Sequence, residues 1–307
     1  MAKKTQKKPK KTAQEIRRQI ADRVIKQMEK YGTDWAKPWI VDSQLEPTSL
    51  STGKKYNGIN YLILAMERAE KGYKSGEWAT FNQWRQRDAV VRKGEKGTLV
   101  VLYKSATFKH HDEQTGIDEV VPYYLLRHFN VWNADQVDGY DPKTKDDEFD
   151  FELDTDIVST VDAYASKTGI DRRQADEVRA YYSPTNDFIN IPPAKSFRDA
   201  EGYAGTVLHE LIHATGHKSR LDRKLVAQNG SQDYAYEELV AELGAAMLCG
   251  SLGITPDPRP DHAKYLNSWI KRLKDEPAII LKAAAKAQAA ANWLDDQQKT
   301  AANDLAA

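Results

Sequence analysis

The chain has 307 residues with 45 Lys and Arg balanced by 45 Asp and Glu, a single cysteine, and no apolar run near the roughly 20 residues that span a bilayer. These totals exclude a disulfide scaffold, a Cys-based zinc finger and a membrane-spanning protein, and they leave room for a core of two domains in a reducing, cytoplasmic setting. The net charge of zero hides an asymmetry: residues 1–111 carry 24 Lys and Arg against 11 Asp and Glu, whereas residues 112–307 carry 21 against 34. A basic front half favours a polyanionic partner.

Residues 1–11 form a Lys-rich tail without the apolar stretch of a signal peptide, and read as disordered. From Thr12, the spacing of Ile16, Ile20, Val24, Ile25 and Met28 predicts an amphipathic helix that stops at Gly32. Pro38, in Trp35-Ala36-Lys37-Pro38-Trp39, ends regular structure. The turn-rich Ser51–Gly58 stretch leads into a helix predicted over 60–71 with Asn60 as its cap, and Trp78–Arg87 reads as a short helix. Strands are predicted at Leu99–Tyr103 and Tyr123–Val131, so residues 12–136 read as an α/β domain.

Residues 137–156, with Asp138-Gly139, Asp141-Pro142 and Asp146-Asp147-Glu148, read as an acidic linker to a second domain over 157–307. That domain opens on a helix at 157–169. A strand region near Gln174 follows, then a hairpin over 179–191 turning at Ser183–Asp187. Its last strand could lie alongside an extended peptide or be an ordinary edge. Packing helices are expected at 261–269 and 277–294.

Between them lies Tyr203-Ala204-Gly205-Thr206-Val207-Leu208-His209-Glu210-Leu211-Ile212-His213. On a helix of 3.6 residues per turn, His209 and His213 share a face and can hold one metal ion, with Glu210 placed as base for a metal-activated water. A catalytic zinc takes three protein ligands and keeps one position open. Ser219 stands where a third histidine would complete the longer zincin pattern, and His217 is misplaced for the role, which leaves it a surface one at the helix end. The apolar helix from Asp233 to Cys249 is the better source. Glu238 and Glu242 lie one turn apart on it, Glu238 as ligand and Glu242 as support for a ligand histidine or as the alternative ligand, while Glu237 faces solvent or a loop. His262, Tyr265 and Tyr236 are candidates for stabilising an oxyanion. The cofactor is one zinc per chain or another divalent ion.

In the basic half, aromatics interleaved with cations suit single-stranded DNA, with rings accepting bases and cations following phosphates. The candidates are Lys37, Trp39, Lys54, Lys55, Tyr56, Asn57, Trp78, Trp84, Arg92, Lys93 and Lys96. Each ring is alternatively core.

Several stretches together resemble the ArdC-type antirestriction proteins of plasmids and other mobile elements. They are Thr52-Gly53-Lys54-Lys55-Tyr56-Asn57-Gly58-Ile59-Asn60, Trp78-Ala79-Thr80-Phe81-Asn82-Gln83-Trp84, Val91-Arg92-Lys93-Gly94-Glu95-Lys96-Gly97 and Phe129-Asn130-Val131-Trp132-Asn133, continued by His209–His217, Lys218-Ser219-Arg220-Leu221 and Glu237-Glu238-Leu239-Val240-Ala241-Glu242-Leu243. The resemblance implies a mixed α/β (α+β) fold of two domains, an N-terminal single-stranded-DNA-binding domain and a C-terminal zincin-like, gluzincin-type metallopeptidase domain. It also implies protection of incoming DNA from host restriction, with a protein substrate among which a restriction component is one candidate, and no membrane partner. The competing expectation is a non-enzymatic DNA-coating protein with a structural or vestigial metal site.

Overall fold

The structure, a computed structural model, describes residues 11–32, 35, 46–111, 118–142, 157–174, 179–197, 199–223, 225, 232–254 and 262–304. The basic tail up to Lys10, and residues 143–156 of the expected linker, lie outside them.

Helix α1 (Ala13–Tyr31) starts where Thr12 and Glu15 form a reciprocal cap. The Glu15 N–H donates to Thr12 Oγ1 at 3.2 Å, the Thr12 N–H donates to Glu15 Oε2 at 2.7 Å, and Gly32 ends the helix. Helix α2 (Gly58–Lys71) begins two residues before the expected start, with Asn57 at the cap position. Its first N–H is satisfied from afar, by Gln288 Oε1 at 2.8 Å. Asn60 is therefore not the cap. Its amide accepts from the Val101 N–H at 2.8 Å and donates to the Val101 carbonyl at 2.7 Å, covering a sheet edge in the manner of a neighbouring strand.

The first sheet holds β1 (Thr48–Ser49), β2 (Glu77–Ala79), β4 (Thr98–His111) and β5 (Asp118–Asn133) in the order β1-β2-β5-β4. Strand β1 runs parallel to β2, and the other pairs are antiparallel. Strands β4 and β5 are longer than the sequence suggested, in register from Thr98 opposite Val131 to His111 opposite Asp118. Trp78 and Ala79 belong to β2, and only Phe81–Arg85 (α3) is helical, behind a Thr80–Gln83 capping box. A pair of two-residue strands, β3 (Val90–Val91) and β6 (Val137–Asp138), follows, and the Tyr140 hydroxyl donates to Glu77 Oε2 at 3.1 Å. The first half thus continues past residue 136 into the stretch read as linker.

In the second half, α4 (Ile157–Ser166) precedes a three-stranded sheet, order β7-β9-β8, made of β7 (Asp171–Arg173), β8 (Tyr181–Ser183) and β9 (Phe188–Asn190). The hairpin turns where expected, with Asp187 in the left-handed region at φ 54°. Helices α5 (Ala200–Ala214), α6 (Gln232–Ser251), α7 (His262–Asp275) and α8 (Ile279–Asp304) complete the chain. Among the described residues no helix is long and apolar enough to cross a membrane.

Helix α6 is apolar all round because it packs on two sides. Leu239, Val240, Leu243 and Met247 join one core with Ile16, Ile20 and Val24 of α1, Leu62 and Met66 of α2, Trp269 of α7 and Ala284 of α8. Ala241, Ala245, Leu248 and Cys249 join another with Val207, Leu208, Leu211 and Ile212 of α5 and Leu294 of α8. The two halves therefore share a core, a fact the linker-and-domain pattern did not reveal. Cys249 is buried, which pushes its thiol up.

Helices α5 and α6 cross at Gly244, where a Cβ would lie 2.7 Å from Ile212 Cδ1 and 2.9 Å from Cγ1. Gly244→Ala is expected to overpack this crossing and cost about 1–3 kcal/mol in denaturant unfolding, and adding Ile212→Val, which removes Cδ1, should recover part of the loss.

Candidate metal centre

The metal helix α5 opens at Asp199, whose carboxylate accepts from the Gly202 N–H at 2.7 Å. Its residues from Tyr203 to Ile212 are all buried and His213 is largely so, which carries two imidazoles and a carboxylate into an apolar interior. Such groups must find partners there. The Nε2 atoms of His209 and His213 lie 3.0 Å apart. Facing them from α6, the Glu238 carboxylate lies 3.6 Å from His209 Nε2 and 3.3 Å from His213 Nε2. His209, His213 and Glu238 form a divalent-metal site, one ligand atom from each lying within 4.8 Å of the others. Two imidazole nitrogens and a carboxylate are a donor set suited to zinc and to other first-row divalent ions.

The opposite ring nitrogens also face carboxylates. His209 Nδ1 lies 3.7 Å from Glu242 Oε2, and His213 Nδ1 lies 3.6 Å from Glu237 Oε1. Each histidine thus turns Nε2 to the centre and Nδ1 outward to an acid. Glu242 thus lies on the side of His209 turned away from Glu238. Glu237 was expected to face solvent or a loop. It is buried instead, in an ion pair with Arg223 at 2.7 Å, because the segment after α5 folds back over α6 and delivers that arginine.

The charges are strongly coupled. Burial alone would push the His213 imidazole down, but Glu237 and Glu238 reverse this and raise it to about 10. Burial would raise both carboxyls. His209 and His213 hold Glu238 well below the carboxylate range, and His213 with Arg223 pulls Glu237 below it. Glu210 is buried on α5 beside His209.

His217 is outside the cluster. It follows the end of α5, with Nδ1 2.7 Å from Ser219 Oγ and 3.5 Å from Asp187 Oδ2, and its side chain is more enclosed than a surface role implies. Of the oxyanion candidates, Tyr236 lies under Arg272 and Lys286, 5.4 and 4.9 Å from the ring centre. Tyr265 packs on Tyr234 at 5.8 Å, and the side chain of His262 is outside those described. Tyr234, which the sequence did not single out, stands one turn before Glu238, and burial together with the Glu238 charge pushes its phenol up.

The DNA-binding candidates fare unevenly. Lys37 and Trp39 fall outside the described residues. Trp78 and Trp84 are fully buried, and Trp84 Nε1 donates to the Trp132 carbonyl at 3.1 Å, so neither ring can accept a base. Their apolar surface serves the core, which is the commoner fate of tryptophan. Tyr56 packs against the Trp78 cluster, Asn57 stands at the N-cap position of α2 without a side-chain cap bond, and Lys55 pairs with Glu46. The Arg92 guanidinium donates to the Val137 carbonyl at 3.1 Å and to Asp138 at 3.3 Å. Lys54, Lys93 and Lys96 are exposed, and so is Phe81, set edge-on against Trp132 at 6.0 Å.

Comparison with known proteins agrees with this architecture. Residues 14–132 match the N-terminal domain of anti-restriction factor ArdC, and residues 159–286 match the zincin-like metallopeptidase family. An uncharacterised protein of Sinorhizobium fredii, y4eC, is 36% identical over 94% of each chain. A DNA primase TraC of Escherichia coli is 37% identical over 88% of this chain but only 26% of its own length. Crystal structures of the antirestriction protein ArdC from plasmid R388 are 40% identical. The metal-free form aligns over 93% of this chain and 98% of its own with a TM-score of 0.75, and the Mn(II)-bound form over 92% and 97% with 0.74. The chain belongs to the ArdC-type antirestriction proteins, with an ArdC N-terminal domain joined to a zincin-like metallopeptidase domain.

Proposed function

We propose that this protein is a zinc-dependent peptidase that acts on a protein met on single-stranded DNA, and so shields incoming DNA from restriction. The observation that carries this is the convergence of both His Nε2 atoms on Glu238 with Glu210 alongside. A structural zinc has no use for such a base. A divalent ion held by His209, His213 and Glu238 supplies Lewis acidity, acidifying a water and polarising a carbonyl. Glu210 takes the proton of the attacking water and returns it to the leaving amine. Glu242 holds His209 from behind, and the apolar surroundings exclude bulk water. Strand β9 lies in the middle of its sheet, and the half-buried edge strand β8, ending near the turn that contacts His217, offers backbone groups to an extended peptide.

The DNA arm of this proposal draws on the excess of 24 cations over 11 acids in residues 1–111, and on the DNA primase and plasmid antirestriction identities of the relatives. Lys54, Lys93 and Lys96 supply accessible charge, and Phe81, exposed like Phe129, offers a ring to a base where Trp78 and Trp84 do not.

Glu210→Gln should keep one metal per chain and full DNA affinity while restriction protection and peptide cleavage fall by about 10²–10⁴. Unchanged protection in that variant would leave a DNA-coating protein. Elemental analysis separates the acids: Glu238→Ala loses the metal, whereas Glu242→Ala retains it with weaker affinity. In anisotropy titrations, affinity for single-stranded DNA should fall steeply with salt, and replacing Lys93 and Lys96 together should reduce the log–log slope by about 1.4. Phe81→Ala should weaken binding at every salt concentration by about 1–3 kcal/mol. A flat salt dependence in the wild type would refute the DNA assignment.

A further inference from the structure

The segment after the metal helix delivers two arginines to its end. Arg220 Nε donates to the Ala214 carbonyl at 2.7 Å, and its fork reaches Asp187 in the β8–β9 turn, with Nη1 3.2 Å from Oδ2. Arg223 turns the other way. Its Nη2 donates to the Ile212 carbonyl at 2.7 Å and to Glu237 Oε1 at 2.7 Å, its Nη1 to Thr215 Oγ1 at 2.7 Å, and its Nε to Glu237 Oε1 at 3.1 Å. Both arginines donate to carbonyls of the last helical turn, Ala214 accepting also from the His217 N–H and Ile212 from Thr215 Oγ1, but only Arg223 continues to an acid facing a metal ligand.

His213 is the ligand most exposed to loosening. It stands one residue from the end of α5, where helices fray, whereas His209 lies a full turn inside. Its Nδ1 faces Glu237 Oε1 at 3.6 Å, the same oxygen that Arg223 grips from two nitrogens. A buried ion pair is seldom worth its desolvation as stability alone, since apolar residues of similar volume do as well. Its geometry is what an apolar pair could not supply.

We infer that Arg223 and Glu237 are a positioning pair: Arg223 fixes the Glu237 carboxylate, and Glu237 fixes the His213 ring with its Nδ1 proton outward and Nε2 toward the metal. The pair pins the last ligand to both the helix end and α6, so that the metal meets a preorganised site. This rests on His209, His213 and Glu238 being the metal ligands.

The test is Mn(II) affinity by competition with a chelator, on wild type, Glu237→Gln, Arg223→Met, the two combined, and Arg220→Met. Circular dichroism of each metal-free variant reports its fold. Glu237→Gln and Arg223→Met should bind about 10–100-fold more weakly. The combined variant should be no weaker than the worse single change, as expected for groups acting as a unit. Arg220→Met, which frees the same helix end without touching Glu237, should stay within twofold of wild type. The Co(II) absorption spectrum should change shape in Glu237→Gln and keep it in Arg220→Met. A folded Glu237→Gln protein with wild-type affinity and spectrum overturns the inference, as does an equal loss in Arg220→Met. If Arg223→Met does not fold, Glu237→Gln decides alone. Absence of Mn(II) binding by the wild type would instead defeat the ligand assignment on which the inference stands.

Discussion

An apolar interior that must hold two imidazoles and a carboxylate imposes most of what surrounds the metal centre. Each of these groups would be costly to bury alone. They are tolerable because α5 and α6 approach closely enough, at Gly244 against Ile212, to bring Glu238 within 3.6 Å of both Nε2 atoms. The network extends one step further on each side, to Glu242 behind His209 and to Glu237 behind His213. Arg223 then supplies the positive charge that a third buried acid requires. The polar content of the helices is graded: two imidazoles and Glu238 at the centre, two further acids facing the outer ring nitrogens, and an arginine tied to backbone carbonyls at the edge. Everything beyond is apolar packing.

How far this could be read from the sequence depends on whether a feature is local. The pairing of His209 with His213 follows from helical geometry alone, and Glu238 with Glu242 from the same period on a helix too apolar to be exposed. The capping boxes at Thr12 and Thr80 are local as well, each closing within three residues. Glu237 was misplaced because its partner is brought by a loop. Neighbouring residues on a helix point about 100° apart, so Glu237 turns away from Glu238, and nothing nearby in sequence says that Arg223 waits there. Asn60 failed as a cap for a related reason. Asparagine suits a helix start, but the same amide also completes the edge of β4, and only the tertiary structure brings Val101 to it.

The tryptophans show the limit of composition. Rings interleaved with lysines satisfy the requirements of a base-stacking surface and of a core beneath a charged surface equally well, and the sequence does not separate them. In the fold, Trp78 and Trp84 anchor the first sheet, while the smaller Phe81 stays accessible. Arg92 and Lys55, which counted toward the basic patch, are engaged within the molecule. Charge excess is a property of the half; the side chains that express it are set by which ones the fold leaves uncommitted.

The acidic stretch reads as a linker between two domains, yet packing also joins the two halves. Helices α1 and α2 bury Ile16, Ile20, Val24, Leu62 and Met66 against α6, α7 and α8, and Gln288 of α8 receives the first N–H of α2. Helix α6 meets this core with one face and the metal helix with the other, so the helix that carries Glu237, Glu238 and Glu242 is also the seam between the two halves. The loop bearing Lys54 leads directly into α2, one face of which lies on that seam. The orientation of the basic half relative to the metal centre is therefore set by close-packed side chains, which do not deform continuously, and not by the length or composition of residues 143–156.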